Sequence, residues 1–317
     1  MAEKKFFTWD RLLPRKMILW LKKKVLSAVY SKNPGCTTGS ADDCRYWCDQ
    51  AVKSGERITF SHCGGLGDLL FSLHFCREFA GYYGINGYDF HIYTVDNAPP
   101  GLGVAAADFI KPLLENLPEI GKVTIGYDLP ADANEVALGN YWKQKINFGA
   151  TDIRSWYYNL TTVHLPREFW KPVILADADY RHQDKILFSY TGRYCNVHID
   201  CGQLKQFREH LVFIGTAGEY ETFCRSFFDL EYQPCENMLE MAQYMAGAKG
   251  FIGGQSGIYS LAECMKIPRI LLAPEFVKSD GVIIPGPHNN HPIGGWCEDA
   301  ASTEKMVFAV KSLLAKE

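Results

Sequence analysis

The chain has 317 residues, 47% of them apolar, enough for two globular cores of about 150 residues each. Its net charge of −3 hides an asymmetry: residues 1–35 carry nine Lys/Arg against Glu3 and Asp10, a net of +7 that leaves −10 for the remainder. An acidic body argues against a nucleic-acid partner, and the sequence holds no run of about 20 apolar residues that could span a bilayer as a helix.

Residues 9–30 set Leu12, Leu13, Ile18, Leu19, Leu21, Val25, Leu26 and Val29 among lysines, the pattern of a basic amphipathic helix broken near Pro14. Two readings stand for residues 1–35: attachment to an anionic membrane surface, or packing on the protein's own body with the lysines in solvent. The apolar stretch Met17–Leu21 is interrupted by Lys22, Lys23 and Lys24 with no small-residue cleavage site after it, so export is not expected. Eleven scattered cysteines without C-x-x-C spacing fit reduced thiols. The expectation is a cytoplasmic protein, peripheral at the inner face of a membrane if the arm binds there. Cys36, Cys44 and Cys48 fit no standard zinc spacing. Residues 1–50 therefore read as arm and connector, closing on a short helix near 46–53.

A first α/β unit, residues 51–170, opens with a strand at 57–63, a turn through Gly64, Gly65, Gly67 and Asp68, and an apolar helix from 69 to about 83. A strand at 90–95, a helix at 104–116 and a strand at 122–125 follow. Alternation of this kind predicts a doubly wound parallel sheet. Residues 130–182 give only weak helical signals among Trp142, Trp156, Trp170 and several tyrosines. The second unit, 171–317, carries strands at 185–190, 211–215 and 230–232, a helix beginning near Glu219, and a helix at 238–248. It continues with a strand at 249–252, a turn through Gly253, Gly254, Gln255, Ser256 and Gly257, a helix at 257–266 and a strand at 269–272. The closing helix, 303–315, is preceded by Asp299-Ala300-Ala301-Ser302 as a source of N-capping side chains.

Paired α/β domains place ligands between the carboxyl ends of their strands, where both glycine turns lie. The second turn suits a diphosphate, because glycine lets backbone N–H groups approach an anion and the helix dipole favours negative charge there. Asp68, at the start of its helix, can accept a proton from an attacking hydroxyl or can serve as a plain N-terminal cap. Asp177-Ala178-Asp179 has metal-site spacing but falls in the connector. His288 and His291 lack acidic or cysteine partners nearby and read as an ordinary loop.

The two turns together resemble family nine of the glycosyltransferases, the heptosyltransferase-like enzymes of the two-domain GT-B fold. That family pairs a G-D-hydrophobic-hydrophobic turn, matched by Gly67-Asp68-Leu69-Leu70, with D-[TS]-G-x-x-H-L-A ending at a proline, matched by Gln255-Ser256-Gly257-Ile258-Tyr259-Ser260-Leu261-Ala262 and Pro268. A third similarity is Phe213-Ile214-Gly215-Thr216-Ala217-Gly218-Glu219. The resemblance spans residues 57–272 and implies two Rossmann-like domains facing a cleft, with a nucleotide-sugar donor and a glycan or glycolipid acceptor. It implies inverting transfer with Asp68 as base on the acceptor side, beside Gly64, Gly65 and Gly67. Donor diphosphate and sugar would fall to Arg193, Lys205, Glu219, Gly254, Gln255, Ser256, Gly257 and Ser260. No metal and no cofactor beyond the co-substrate is implied. Gln255 and Ser260 stand where the family carries an acid and a histidine, so heptose itself is not expected as the sugar. Other readings are a nucleotide-sugar epimerase or hydrolase on the same fold, or a silent glycan- or protein-binding module.

Overall fold

The computed structural model describes residues 41–53, 57–94, 102–130, 133–144, 151–191, 199–272, 276–279, 282–285 and 292–316, with backbone alone at 41–44, 46, 47, 142, 276–279 and 282–285. The basic arm before residue 41, Cys36, Arg193, His288, His291 and the Cys44 side chain lie outside the described residues.

Helix α1 (Ala41–Lys53) leads into a unit made of β1 (Ile58–His62), α2 (Leu66–Tyr82), β2 (Tyr88–Tyr93), α3 (Val104–Glu115), β3 (Ile120–Gly126) and β4 (Asn134–Ala137). The four strands are parallel in the order β3-β2-β1-β4. All five residues of β1 are buried, as a parallel strand covered on both faces requires. Helix α2 buries ten side chains distributed around its circumference, including Leu69, Leu70, Phe71, Phe75 and Phe79. A helix apolar all round is packed between layers, and α2 lies between its own sheet and the second unit.

From Leu138 to His182 the chain runs through short 3-10 turns at Leu138–Lys143, Ile153–Ser155, Tyr157–Leu160 and Tyr180–His182. The second unit then holds β5 (Ile186–Ser189), a 3-10 helix (Cys201–His210), β6 (Leu211–Ile214), α4 (Ala217–Ser226), β7 (Glu231–Gln233), α5 (Met238–Gly247), β8 (Gly250–Gly253), α6 (Gly257–Met265) and β9 (Arg269–Leu272). A separate antiparallel hairpin, β10 (Phe276–Ser279) and β11 (Val282–Pro285), precedes β12 (Cys297–Ala300) and α7 (Thr303–Leu314). Six strands pair in parallel as β12-β9-β8-β5-β6-β7.

Side chains alternate across this sheet with the period of two that strands impose. Leu187, Val212, Phe251 and Leu271 face a core continuous with that of the first sheet through α5 and α6. Ile186, Phe188, Phe213, Ile252 and Ile270 face a second core closed by the 3-10 helix, α4 and α7.

The mixed α/β architecture, with its two parallel sheets, agrees with the sequence reading, while three elements depart from it. Strand β4 lies in the stretch that showed weak helical signals. The hairpin β10-β11 was not foreseen. Asp299 and Ala300 belong to β12, and the cap of α7 is Ser302 alone, whose hydroxyl accepts from Lys305 N at 3.3 Å.

Candidate functional site

In an open parallel sheet a crevice forms where two neighbouring strands send their chains to opposite sides. The first sheet has this switch between β1 and β4, and the second between β5 and β8. The turn 63–68 leaves β1, and the turn 254–256 leaves β8. Both glycine turns thus sit at switch points.

They also touch. A Cβ built on Gly67 would stand 2.7 Å from Ser260 Oγ, and one on Gly257 would stand 2.7 Å from Leu66 Cδ2. Neither helix start has room for a methyl group. The beginnings of α2 and α6 therefore lie against each other, which brings the carboxyl ends of β1 and β8 to one place.

Asp68 occupies the first turn of α2 and is partly buried. The N-cap of α2 is Gly65, which has no side chain to cap with, and Asp68 stands three positions on, where a carboxylate can also serve the helix N-terminus. Its Oδ2 lies 3.2 Å from where a Cβ of Gly64 would be, and His62 Cε1 lies 2.7 Å from the same point. Glycine at 64 is what lets carboxylate and imidazole approach together. His62 is buried at the end of β1; its Nδ1 accepts from Gly64 N at 2.9 Å and its Nε2 meets Tyr157 Oη at 3.1 Å. The Tyr157 hydroxyl donates in turn to Asp68 O at 2.8 Å. Burial pushes the His62 pKa down to about 3. Burial, then the charge of Asp68, pushes the Tyr157 pKa well up. At neutral pH both groups are uncharged.

On the facing side, Ser256 caps α6, its Oγ accepting from Tyr259 N at 3.2 Å. Ser260 is 1% exposed and donates to Ser256 O at 3.0 Å, with its oxygen set against Gly67. Gln255, directly after Gly254 in the turn that leaves β8, is 9% exposed. Gly254 is buried directly after β8. Glu219 closes a capping box with Thr216: its Oε2 accepts from Thr216 N at 3.1 Å and Thr216 Oγ1 at 2.9 Å, while Glu219 N donates to Thr216 Oγ1 at 3.2 Å. Lys205 is exposed on the 3-10 helix before β6. Asp179 caps the turn at Tyr180–His182, accepting from Arg181 N at 3.0 Å. Among the described residues no group of three or more His, Cys, Asp or Glu could hold a metal ion.

Behind the meeting helices lies a buried charge network that sequence reading did not find. Glu263, fully buried on α6, accepts from Arg154, from Arg269 Nε at 2.5 Å, from Lys266 Nζ at 2.5 Å and from Ile293 N at 3.2 Å. Arg154 also binds Asp152, through Nε at 2.7 Å, and its guanidinium lies between the rings of Phe71 and Phe169. Burial works against the charge on Arg154, but Asp152 and then Glu263 outweigh it and hold its pKa above the ordinary value. Arg154 comes from the connector, Phe71 from α2 and Glu263 from α6, so the network ties both units just beneath the site.

Two parallel sheets whose strand ends meet across paired glycine turns define a two-unit α/β protein of GT-B type. No protein-family model and no curated protein matches the sequence. Solved structures do match the fold. A family 9 glycosyl transferase from Veillonella parvula superposes with a TM-score of 0.56 at 11% identity, covering 83% of this chain and 98% of its own. The ADP-heptose lps heptosyltransferase II of E. coli gives 0.54 at 11% identity, covering 82% and 98%. The chain is similar in fold, over nearly the full length of these structures, to family-nine glycosyltransferases.

Proposed function

We propose that the protein is a glycosyltransferase that moves a sugar from a nucleotide-diphosphate donor to a hydroxyl of a glycan or glycolipid, with inversion and without an obligatory metal. The observation that carries this reading is the contact of the two helix starts, which sets the first turn of α2, where Asp68 stands, against the helix that follows the second glycine turn. In the reaction, the acceptor oxygen forms its bond to the anomeric carbon while the bond from that carbon to the diphosphate breaks. Asp68 takes the hydroxyl proton, and the nucleoside diphosphate leaves with the electron pair. Amides at the start of α6 face the charge that develops on the leaving group, with Arg193 assigned to the same task by family resemblance.

Within this reading Gln255, in the turn that leaves β8, is assigned to the donor side. Ser256 keeps its cap, Ser260 packs against Gly67, and Glu219 braces the turn after β6. The basic residues 1–35 would bring the enzyme to an anionic surface carrying a glycolipid acceptor, in which case liposome binding is lost at high salt. Thermal denaturation with a panel of nucleoside diphosphates and nucleotide sugars tests the function. A donor at 100 times its Kd adds about 2.7 kcal/mol and raises Tm. A panel in which nothing raises Tm refutes the reading.

A further inference from the structure

We propose that His62 and Tyr157 form a strap of fixed hydrogen-bond polarity that holds the Gly64–Asp68 turn, and that Tyr157 is thereby a positioning residue for the transfer reaction. The catalytic half of this inference rests on the reading of Asp68 as the base.

Three bonds close the strap: Gly64 N to His62 Nδ1 at 2.9 Å, His62 Nε2 to Tyr157 Oη at 3.1 Å, and Tyr157 Oη to Asp68 O at 2.8 Å. Their direction follows from valence. A backbone N–H only donates, so Nδ1 carries no proton; a neutral imidazole then has its proton on Nε2 and donates to the phenol oxygen. A backbone carbonyl only accepts, so the phenol proton points to Asp68. No other arrangement satisfies all three contacts, and an imidazolium would set an N–H against the Gly64 N–H. Burial keeps the imidazole neutral and the phenol protonated across the neutral range.

The hydroxyl of Tyr157 adds something that packing does not need. Its ring already lies edge-on to Tyr141, with centroids 5.1 Å apart, and 6.0 Å from the His62 ring. The carbonyl of Asp68, in the first turn of α2, is already placed to accept within the helix. The second bond from Tyr157 therefore serves the direction of the turn. Because Gly64 lacks a Cβ, the His62 ring edge and the Asp68 carboxylate both occupy the space a side chain would fill there, which sets strap, glycine and acid side by side.

Tyr157→Phe keeps the ring and removes the strap's last bond. We expect kcat to fall about 10-fold to 100-fold, the range that small misplacement of a reacting group costs, with the donor KM within about 3-fold. Independently of turnover, the ¹⁵N signals of the His62 imidazole in the wild-type protein should show the Nε2–H tautomer without titration between about pH 5 and 8. The inference is overturned if folded Tyr157→Phe protein keeps its kcat, if kcat and donor affinity fall together, or if His62 carries its proton on Nδ1 or titrates in that range. A wild-type protein that binds and turns over no nucleotide sugar refutes the transferase reading and the positioning role with it; that failure is told apart by unchanged imidazole signals.

Discussion

Gly67→Ala probes the contact on which the site depends. The new methyl carbon would stand 2.7 Å from Ser260 Oγ, well inside contact distance. Ser260 is 1% exposed and can turn aside only by giving up its 3.0 Å bond to Ser256 O, worth about 1 kcal/mol. Residual overpacking brings the cost to about 1–3 kcal/mol, and the helix preference of alanine over glycine returns up to about 1 kcal/mol. A net loss of about 1–2 kcal/mol, or about 1.5–3 °C in Tm for a chain of this length, is expected by thermal denaturation. Ser260→Ala removes the oxygen and leaves a Cβ 3.6 Å away, an ordinary contact. Alone it gives up the same bond and should cost at most about 1 kcal/mol, and in its background Gly67→Ala should cost nothing further. The double-mutant cycle should thus show a coupling of about 1 kcal/mol or more. Additive effects would mean that the two helix starts do not touch, and the closed site would fall with that contact.

Glu263→Ala leaves Arg154, Arg269 and Lys266 buried without their shared acceptor and should cost about 3–5 kcal/mol in a denaturant or thermal melt; a loss under about 1 kcal/mol would contradict the network. His62 contributes a pH dependence whose sign is fixed by its lowered pKa. The unfolded chain binds its proton near 6.5 and the folded protein only near 3, so stability present above pH 6.5 is lost as pH falls. The loss is about 2 kcal/mol by pH 5, and His62→Gln should remove one proton from the slope of stability against pH between 5 and 6.5. Glu219→Gln keeps the capping box and should leave Tm and donor affinity nearly unchanged, whereas Thr216→Val should cost about 0.5–2 kcal/mol; a collapse of donor affinity in Glu219→Gln would return Glu219 to the donor site.

Much of the order of strands and helices was legible because the central parallel strands are short apolar runs followed by a glycine or polar turn, as at Leu211–Ile214 and Gly250–Gly253. The cap at Glu219 is written in Thr216-x-x-Glu219, the spacing of a capping box. Strand β4 was not legible: Asn134-Glu135-Val136-Ala137 has little apolar character, and it forms by pairing with β1, 74 positions away at the Ser61–Glu135 hydrogen bond. Strand β12, Cys297-Glu298-Asp299-Ala300, likewise borrows its register from β9. Arg154 and Glu263 meet across 109 positions, and His62 and Tyr157 across 95, so no local spacing announces either contact. Both partners from the connector sit in 3-10 turns, where apolar periodicity is absent.

The central claim is that Asp68 acts as the base at a site built from both helix starts. Its most direct test is Asp68→Asn, assayed for sugar transfer and for donor binding by calorimetry on the same preparation. The account predicts a folded protein that binds donor within about 3-fold of wild type and transfers sugar at least about 1,000-fold more slowly. Turnover close to wild type in that variant would contradict it.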